Sequence, residues 1–150
     1  MAEFIKETPP EKAFALPDGM RLRLLRFLPL EGRAEQAREW IDGMLSREAE
    51  ITEAVSGCRV PLEAVFLTQE QGRRAIYYLQ LLPGEPGPVQ AYPVLSEING
   101  ALADLCGDNP ITEVLPAFVT LARPLDEEIR EFTKMPAAQE GGKHEKRPVL

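Results

Sequence analysis

Histidine is almost missing from this sequence and cysteine is scarce, with one and two respectively among 150 residues. The single histidine, His144, stands in a polar C-terminal run, so the segments that pattern as core offer no imidazole for haem, a metal centre or a nucleophile–histidine pair. Cys58 and Cys106 lie far apart, each beside a glycine and without CxxC spacing, which argues against a structural zinc site. They read as two small buried thiols in a reducing compartment, with a disulfide between them as the open alternative. Basic residues are outnumbered, 17 against 24 acidic, and a formal charge of −7 disfavours binding to a phosphate backbone. Long apolar runs are missing too. The first thirty residues hold no signal-peptide core, and no stretch approaches the ~18 apolar residues of a membrane span, so the expectation is a cytoplasmic protein with no membrane partner. GxGxxG, GxxxxGK[ST] and GxSxG do not occur, which leaves nucleotide-dependent and α/β-hydrolase chemistry without support. The expected metal and cofactor complement is none.

What is present suffices for one hydrophobic core, since 44% of the residues are hydrophobic. Residues 1–18 carry three prolines and scattered Phe4, Ile5 and Phe14 without a period, and read as an extended arm. Met20 to Leu28 alternates as a strand, with Met20, Leu22, Leu24 and Leu28 on one face and Leu25 and Phe27 making the other apolar as well. A strand apolar on both sides needs cover on both. From Arg33 to Ser56 the period is helical: Ala37, Trp40, Ile41, Met44, Leu45, Ile51 and Val55 form one stripe, ended by Gly57 as a left-handed cap. Leu62 to Thr68 and Arg74 to Leu82, joined by a polar turn containing a glycine, predict a hairpin. A proline-rich loop leads to a second helix from Pro93 to Leu105. Ile111 to Arg123 reads as the last strand, at an edge or with a bulge because of Pro116, and Leu125 to Phe132 as a short helix before a polar tail.

The order strand, helix, hairpin, helix, strand is the ferredoxin-like β-α-β-β-α-β pattern of an α+β domain, expected over residues 19–123, with residues 124–150 as helix and tail. Such a domain puts four antiparallel strands in one layer and both helices on one face. The other face stays bare, and strand three, alternating Ile76, Tyr78 and Leu82 with Tyr77, Leu79 and Leu81, needs cover there as well. A second copy facing sheet to sheet is the simplest supplier, which predicts a homodimer.

Arg26 through Trp40, SREAEI (Ser46 to Ile51), LEAVFL (Leu62 to Leu67) and IYYL (Ile76 to Leu79) resemble a small bacterial family of unknown function within the dimeric α+β barrel superfamily, over roughly residues 20 to 123. The resemblance implies the sheet-paired barrel and a biosynthetic setting. Known members include cofactor-independent monooxygenases, isomerases, polyketide cyclases and haem-handling proteins, the last of which the missing histidine puts in doubt.

Glu48 is the most unusual residue, because on an unbroken helix it falls inside the apolar stripe. A carboxylate buried there needs a cation or a raised pKa, and Arg26, in phase with Leu22 and Leu24, is the expected partner. A pair that only fixes helix register, or a Glu48 that simply reaches solvent, competes with an acid–base role. Tyr77 and Tyr78 point to opposite sheet faces, and either phenol could donate to a substrate carbonyl or simply fill a half-buried strand. Glu63, in phase with Val65 and Leu67, is a second candidate for an inward acid, although its place near the start of the strand favours exposure, and Trp40 sits at the stripe margin as core or stacking platform. Two functions follow. One is a homodimeric small-molecule binder, an isomerase, cyclase or monooxygenase acting on an apolar metabolite, with Glu48, Arg26 and Tyr78 catalytic and Tyr77, Trp40 and Glu63 binding. The other is a non-catalytic assembly subunit that uses its sheet and terminal arms for protein contacts.

Overall fold

The computed structural model describes residues 16, 17, 19–85, 87 and 91–134. The expected N-terminal arm with Phe4, Ile5 and Phe14, part of the proline-rich loop, and the tail with His144 lie outside the described residues. The fold is α+β: strands β1 (Arg21–Phe27), β2 (Leu62–Glu70), β3 (Arg73–Leu82) and β4 (Thr112–Val114) form an open antiparallel sheet in the order β2-β3-β1-β4. Helices α1 (Ala34–Ser46) and α2 (Glu48–Gly57) connect β1 to β2, α3 (Pro93–Cys106) connects β3 to β4, and α4 (Arg123–Lys134) follows the sheet.

The hairpin turn is Gln71-Gly72, both with positive φ (51° and 76°), the two-residue geometry whose twist matches the strands it joins. It sets the register of the two longest strands, Glu70 opposite Arg73 through Leu62 opposite Leu81. On the other side of β3, Phe27 stands opposite Ile76, Leu25 opposite Tyr78 and Arg23 opposite Gln80. Residues in one row share a face. The row members Leu25, Phe27, Val65, Leu67, Ile76 and Tyr78 meet the helices, and the core joins Phe27, Ile76 and Tyr78 to Ala37, Trp40 and Ala54 and to Val94, Ile98 and Leu102 of α3.

Four sequence expectations are corrected. The long helix is two, broken at Arg47 (φ −115°, ψ 24°), whose N–H bonds Met44 O while its own carbonyl accepts from Ile51. Its guanidinium is drawn across to Glu50 and to Glu97 of α3. Gly57 is not a left-handed cap; it ends α2 with Tyr92 packed so close that a Cβ would stand 1.8 Å from the phenol oxygen, and positive φ falls instead at Arg59 (61°). Strand four covers three residues, pairing only with Leu24–Arg26, because Pro110 and Pro116 bracket it and proline supplies no ladder N–H. The last helix extends one turn beyond the expected Leu125 to Phe132, to Arg123–Lys134. Cys58 and Cys106 are both buried and free, as small thiols, and burial pushes each pKa up.

Ile76 is fully buried at the centre of the core. Replacing it with alanine removes three carbons from a packed site, and Ile76→Ala is expected to lower unfolding stability by about 2–5 kcal/mol, read from urea midpoints at unchanged m-value.

Candidate functional site

The sheet register assembles a polar row on the helix-facing side that the surrounding core does not require. Arg23, Gln80 and Glu63 stand side by side on β1, β3 and β2. Arg23 Nη2 donates to Gln80 Oε1, and Gln80 Nε2 donates to Glu63 Oε1 at 3.3 Å. One step along β3, the Tyr78 hydroxyl donates to the same Glu63 oxygen. Burial raises the Glu63 pKa above its ordinary value, against the lowering effect of the hydrogen bonds from Tyr78 and Gln80. Burial and the neighbouring carboxylate also push the Tyr78 phenol up strongly. The pair therefore holds a proton tightly at Tyr78 and presents a carboxyl group whose charge is disfavoured.

A pocket of about 340 Å³ opens beside this row, between β1, β3 and the C-terminal half of α3. Its walls are apolar at Leu25, Phe27 and Leu102, and polar at Arg23, Tyr78 and Gln80. Its shape depends on Asn109, whose Nδ2 donates to the carbonyls of Leu28 (2.7 Å) and Pro29 (3.2 Å) and so ties the β1–α1 loop to the α3–β4 loop. Trp40 closes the far side of Tyr78, with ring centroids 6.5 Å apart and planes tilted by 51°, and its Nε1 donates to Ile98 O at 3.1 Å. That bond satisfies the indole within the core, so Trp40 braces the tyrosine. A larger hollow, about 470 Å³, lies between the β1–α1 loop and the hairpin turn, but the charged side chains lining it at Glu31 and Arg73 are exposed, and it holds no buried titratable group.

Residues 20–92 match the model of a family of unknown function, DUF6176. The matched span takes in β1, both halves of the broken helix and the β2–β3 hairpin, hence every member of the Arg23–Gln80–Glu63–Tyr78 row; α3, which completes the pocket, lies outside it. No curated protein and no solved structure matches the chain.

Of the residues singled out from sequence, the structure brings Tyr78, Glu63 and Trp40 together on one side of the sheet and Arg26 and Tyr77 together on the other, and leaves Glu48 apart from both. Glu48 is exposed at the start of α2. Its place in the apolar stripe assumed an unbroken helix, and the break at Arg47 resets the phase just before it. Arg26 does not pair with Glu48. It lies on the sheet face turned away from α1–α3, the helix-free face in that sense, where its Nε and Nη2 reach Glu70 Oε1 at 3.0 and 2.6 Å while the Tyr77 hydroxyl donates to Glu70 Oε2. The hydrogen bond from Tyr77, then that from Arg26, hold the Glu70 pKa below its usual value. The expectation failed because both faces of β1 are apolar, and alternation by itself leaves open which one meets the helices. Missed altogether were Arg23, Gln80 and Glu70. The first two carried a readable signal: each is polar in phase with the core residues Leu25–Phe27 and Ile76–Tyr78.

Glu63 and Glu70 give opposite pH signatures. With its folded pKa raised above 4.5, Glu63 contributes stability that is complete below that value and is lost as pH rises through the folded pKa. The stability of the wild type relative to Glu63→Gln therefore falls from acid to neutral pH. With its folded pKa lowered, Glu70 contributes stability that is present above 4.5 and lost as pH falls through the folded pKa, so the wild type gains on Glu70→Gln as pH rises. Urea unfolding of the three proteins across that range reads both signs.

Proposed function

We propose that this chain is a small-molecule-binding protein whose site is the helix-side pocket, with Tyr78 and Glu63 as a proton-holding pair set against an apolar ligand. The observation that carries the reading is the polar row itself. Four hydrogen-bonded polar side chains occupy core-facing positions of three adjacent strands, and three of them, Arg23, Tyr78 and Gln80, border a cleft, with Glu63 behind them, where apolar residues would pack at least as well. Chemically, a carboxyl group whose proton affinity is raised by burial, beside a phenol that keeps its proton and donates a hydrogen bond to it, suits general acid–base steps such as enolisation, isomerisation or cyclisation. The expected catalytic roles for Glu48 and Arg26 lose their structural premise, and Tyr78 and Glu63 take the acid–base assignment. Phenylalanine at Ala103, an exposed α3 position lining the cleft, fills it. In a thermal-shift screen of small metabolites, compounds that stabilise the wild type are expected to lose their effect on Ala103→Phe and to be weakened on Tyr78→Phe. Equal shifts on wild type and Ala103→Phe for every active compound would sink the reading.

The proposal includes a ferredoxin-like domain paired with a second copy through the helix-free face. The strand order β2-β3-β1-β4, with the hairpin at one edge and the last strand at the other, supports the topology. The apolar face supports the pairing: Leu22, Leu24 and Leu79 are half-buried, and Leu62 and Phe66 are 46% and 52% exposed. The assembly-subunit reading draws on the same face, while the arms it also invokes lie outside the described residues. Phe66→Glu places a charge amid that patch. Sedimentation analysis is expected to show two chains per particle for the wild type and one for Phe66→Glu, and a wild type that stays monomeric at high concentration removes the paired barrel while leaving the pocket in place.

A further inference from the structure

The polar row contains a cation with no anion of its own. Arg23 carries five N–H donors, of which one is taken by the Gln80 side-chain oxygen. Its Nε is shut off from solvent and has no acceptor. Among the described residues no carboxylate forms an ion pair with it, in contrast to Arg26, Arg47 and Arg130, each held by an Asp or Glu. Glu63 is the nearest acid in the row, but Gln80 stands between them and takes a bond from one and gives a bond to the other. Arg23 lines the cleft together with Leu25 and Phe27 of its own strand. Arg23 as a whole is half-buried, and its Nε, hidden without an acceptor, leaves the guanidinium short of partners that something entering the cleft could supply.

We infer that the ligand is a small, mainly apolar carboxylic acid, with its carboxylate on the guanidinium of Arg23 and its hydrocarbon body against Leu25, Phe27 and Leu102. This inference rests on the cleft being the ligand site and adds the chemical class that the site selects. A carboxylate matches the planar donor fork of arginine through two parallel hydrogen bonds, which a neutral amide or alcohol of the same shape does not reproduce. The burial that disfavours charge on Glu63 works in the same direction, since it weakens that carboxylate as a competitor for Arg23. The carboxylate would also lie near the Tyr78 hydroxyl, placing the carbon next to it within reach of the proton-holding pair. Arg23 is thereby a specificity residue, and the acid–base work stays with Tyr78 and Glu63.

Matched probes test the charge without knowledge of the natural ligand. Benzoate with benzamide, and hexanoate with hexanamide, are titrated into the full chain at neutral pH and followed by NMR, including the Arg23 Nε–Hε resonance. The wild type is expected to bind each acid at least about tenfold tighter than its amide, and the Arg23 resonance to move with the acid alone. Arg23→Gln is expected to abolish that preference while leaving amide affinity within about twofold, and Arg74→Gln, an arginine outside this cleft, to retain it. Equal affinity for acid and amide in the wild type, or a preference that survives in Arg23→Gln, overturns the inference and leaves the cleft as a ligand site. If no probe binds and cleft resonances stay still, the inference and the pocket reading fall together. Should Arg23→Gln not fold, the wild-type acid-to-amide ratio and the Arg23 resonance decide alone.

Discussion

Strand β3 takes its backbone partners from β1 on one side and β2 on the other, and it is apolar on both faces, so the register of those two pairings decides the environment of nearly every residue of interest. The hairpin turn at Gln71-Gly72 pins one pairing, and the packing of Phe27 and Ile76 under the helices agrees with the other. A slip of one residue would exchange Tyr77 with Tyr78 and carry Gln80 off the row that links Arg23 to Glu63. The candidate site is thus a product of sheet register before it is a product of any single side chain. The helices add the second wall, and Asn109 fixes where the connecting loops stand.

The two faces of this sheet treat the same chemical groups in opposite ways. Each carries an arginine, a glutamate and a tyrosine. On the helix-free side Glu70 accepts from both Arg26 and Tyr77, and the closed trio stabilises the carboxylate. On the helix side Glu63 accepts from Tyr78 and Gln80, receives no arginine directly, and loses solvent to the core. The first arrangement is satisfied within the chain and suits a surface that is to be covered. The second leaves an arginine Nε without an acceptor and a carboxyl group disfavoured as an anion, so neither group is fully satisfied by its neighbours. Desolvation, the largest influence on Glu63 and a lesser one on Glu70, separates a structural cluster from a candidate chemical one.

The amino-acid sequence by itself determined the α+β class, the strands around Met20–Leu28, Leu62–Thr68 and Arg74–Leu82, the second helix, the buried thiols and the apolar residues on both faces of the sheet. These follow from local periodicity and turn chemistry, which act over a few residues. Tertiary structure decided which face of β1 meets the helices, and with it that Arg26 belongs to Glu70 and that Arg23 belongs to the cleft. It also decided that the long amphipathic pattern breaks at Arg47, where a guanidinium shared between Glu50 and Glu97 replaces helical continuity. A helical wheel carries phase across any uninterrupted run, so it placed Glu48 in the core when three-dimensional packing put it in solvent. Partners at sequence separations of 17 to 57 residues, such as Gln80 with Glu63 and with Arg23, leave no local trace, because strand pairing alone makes them neighbours.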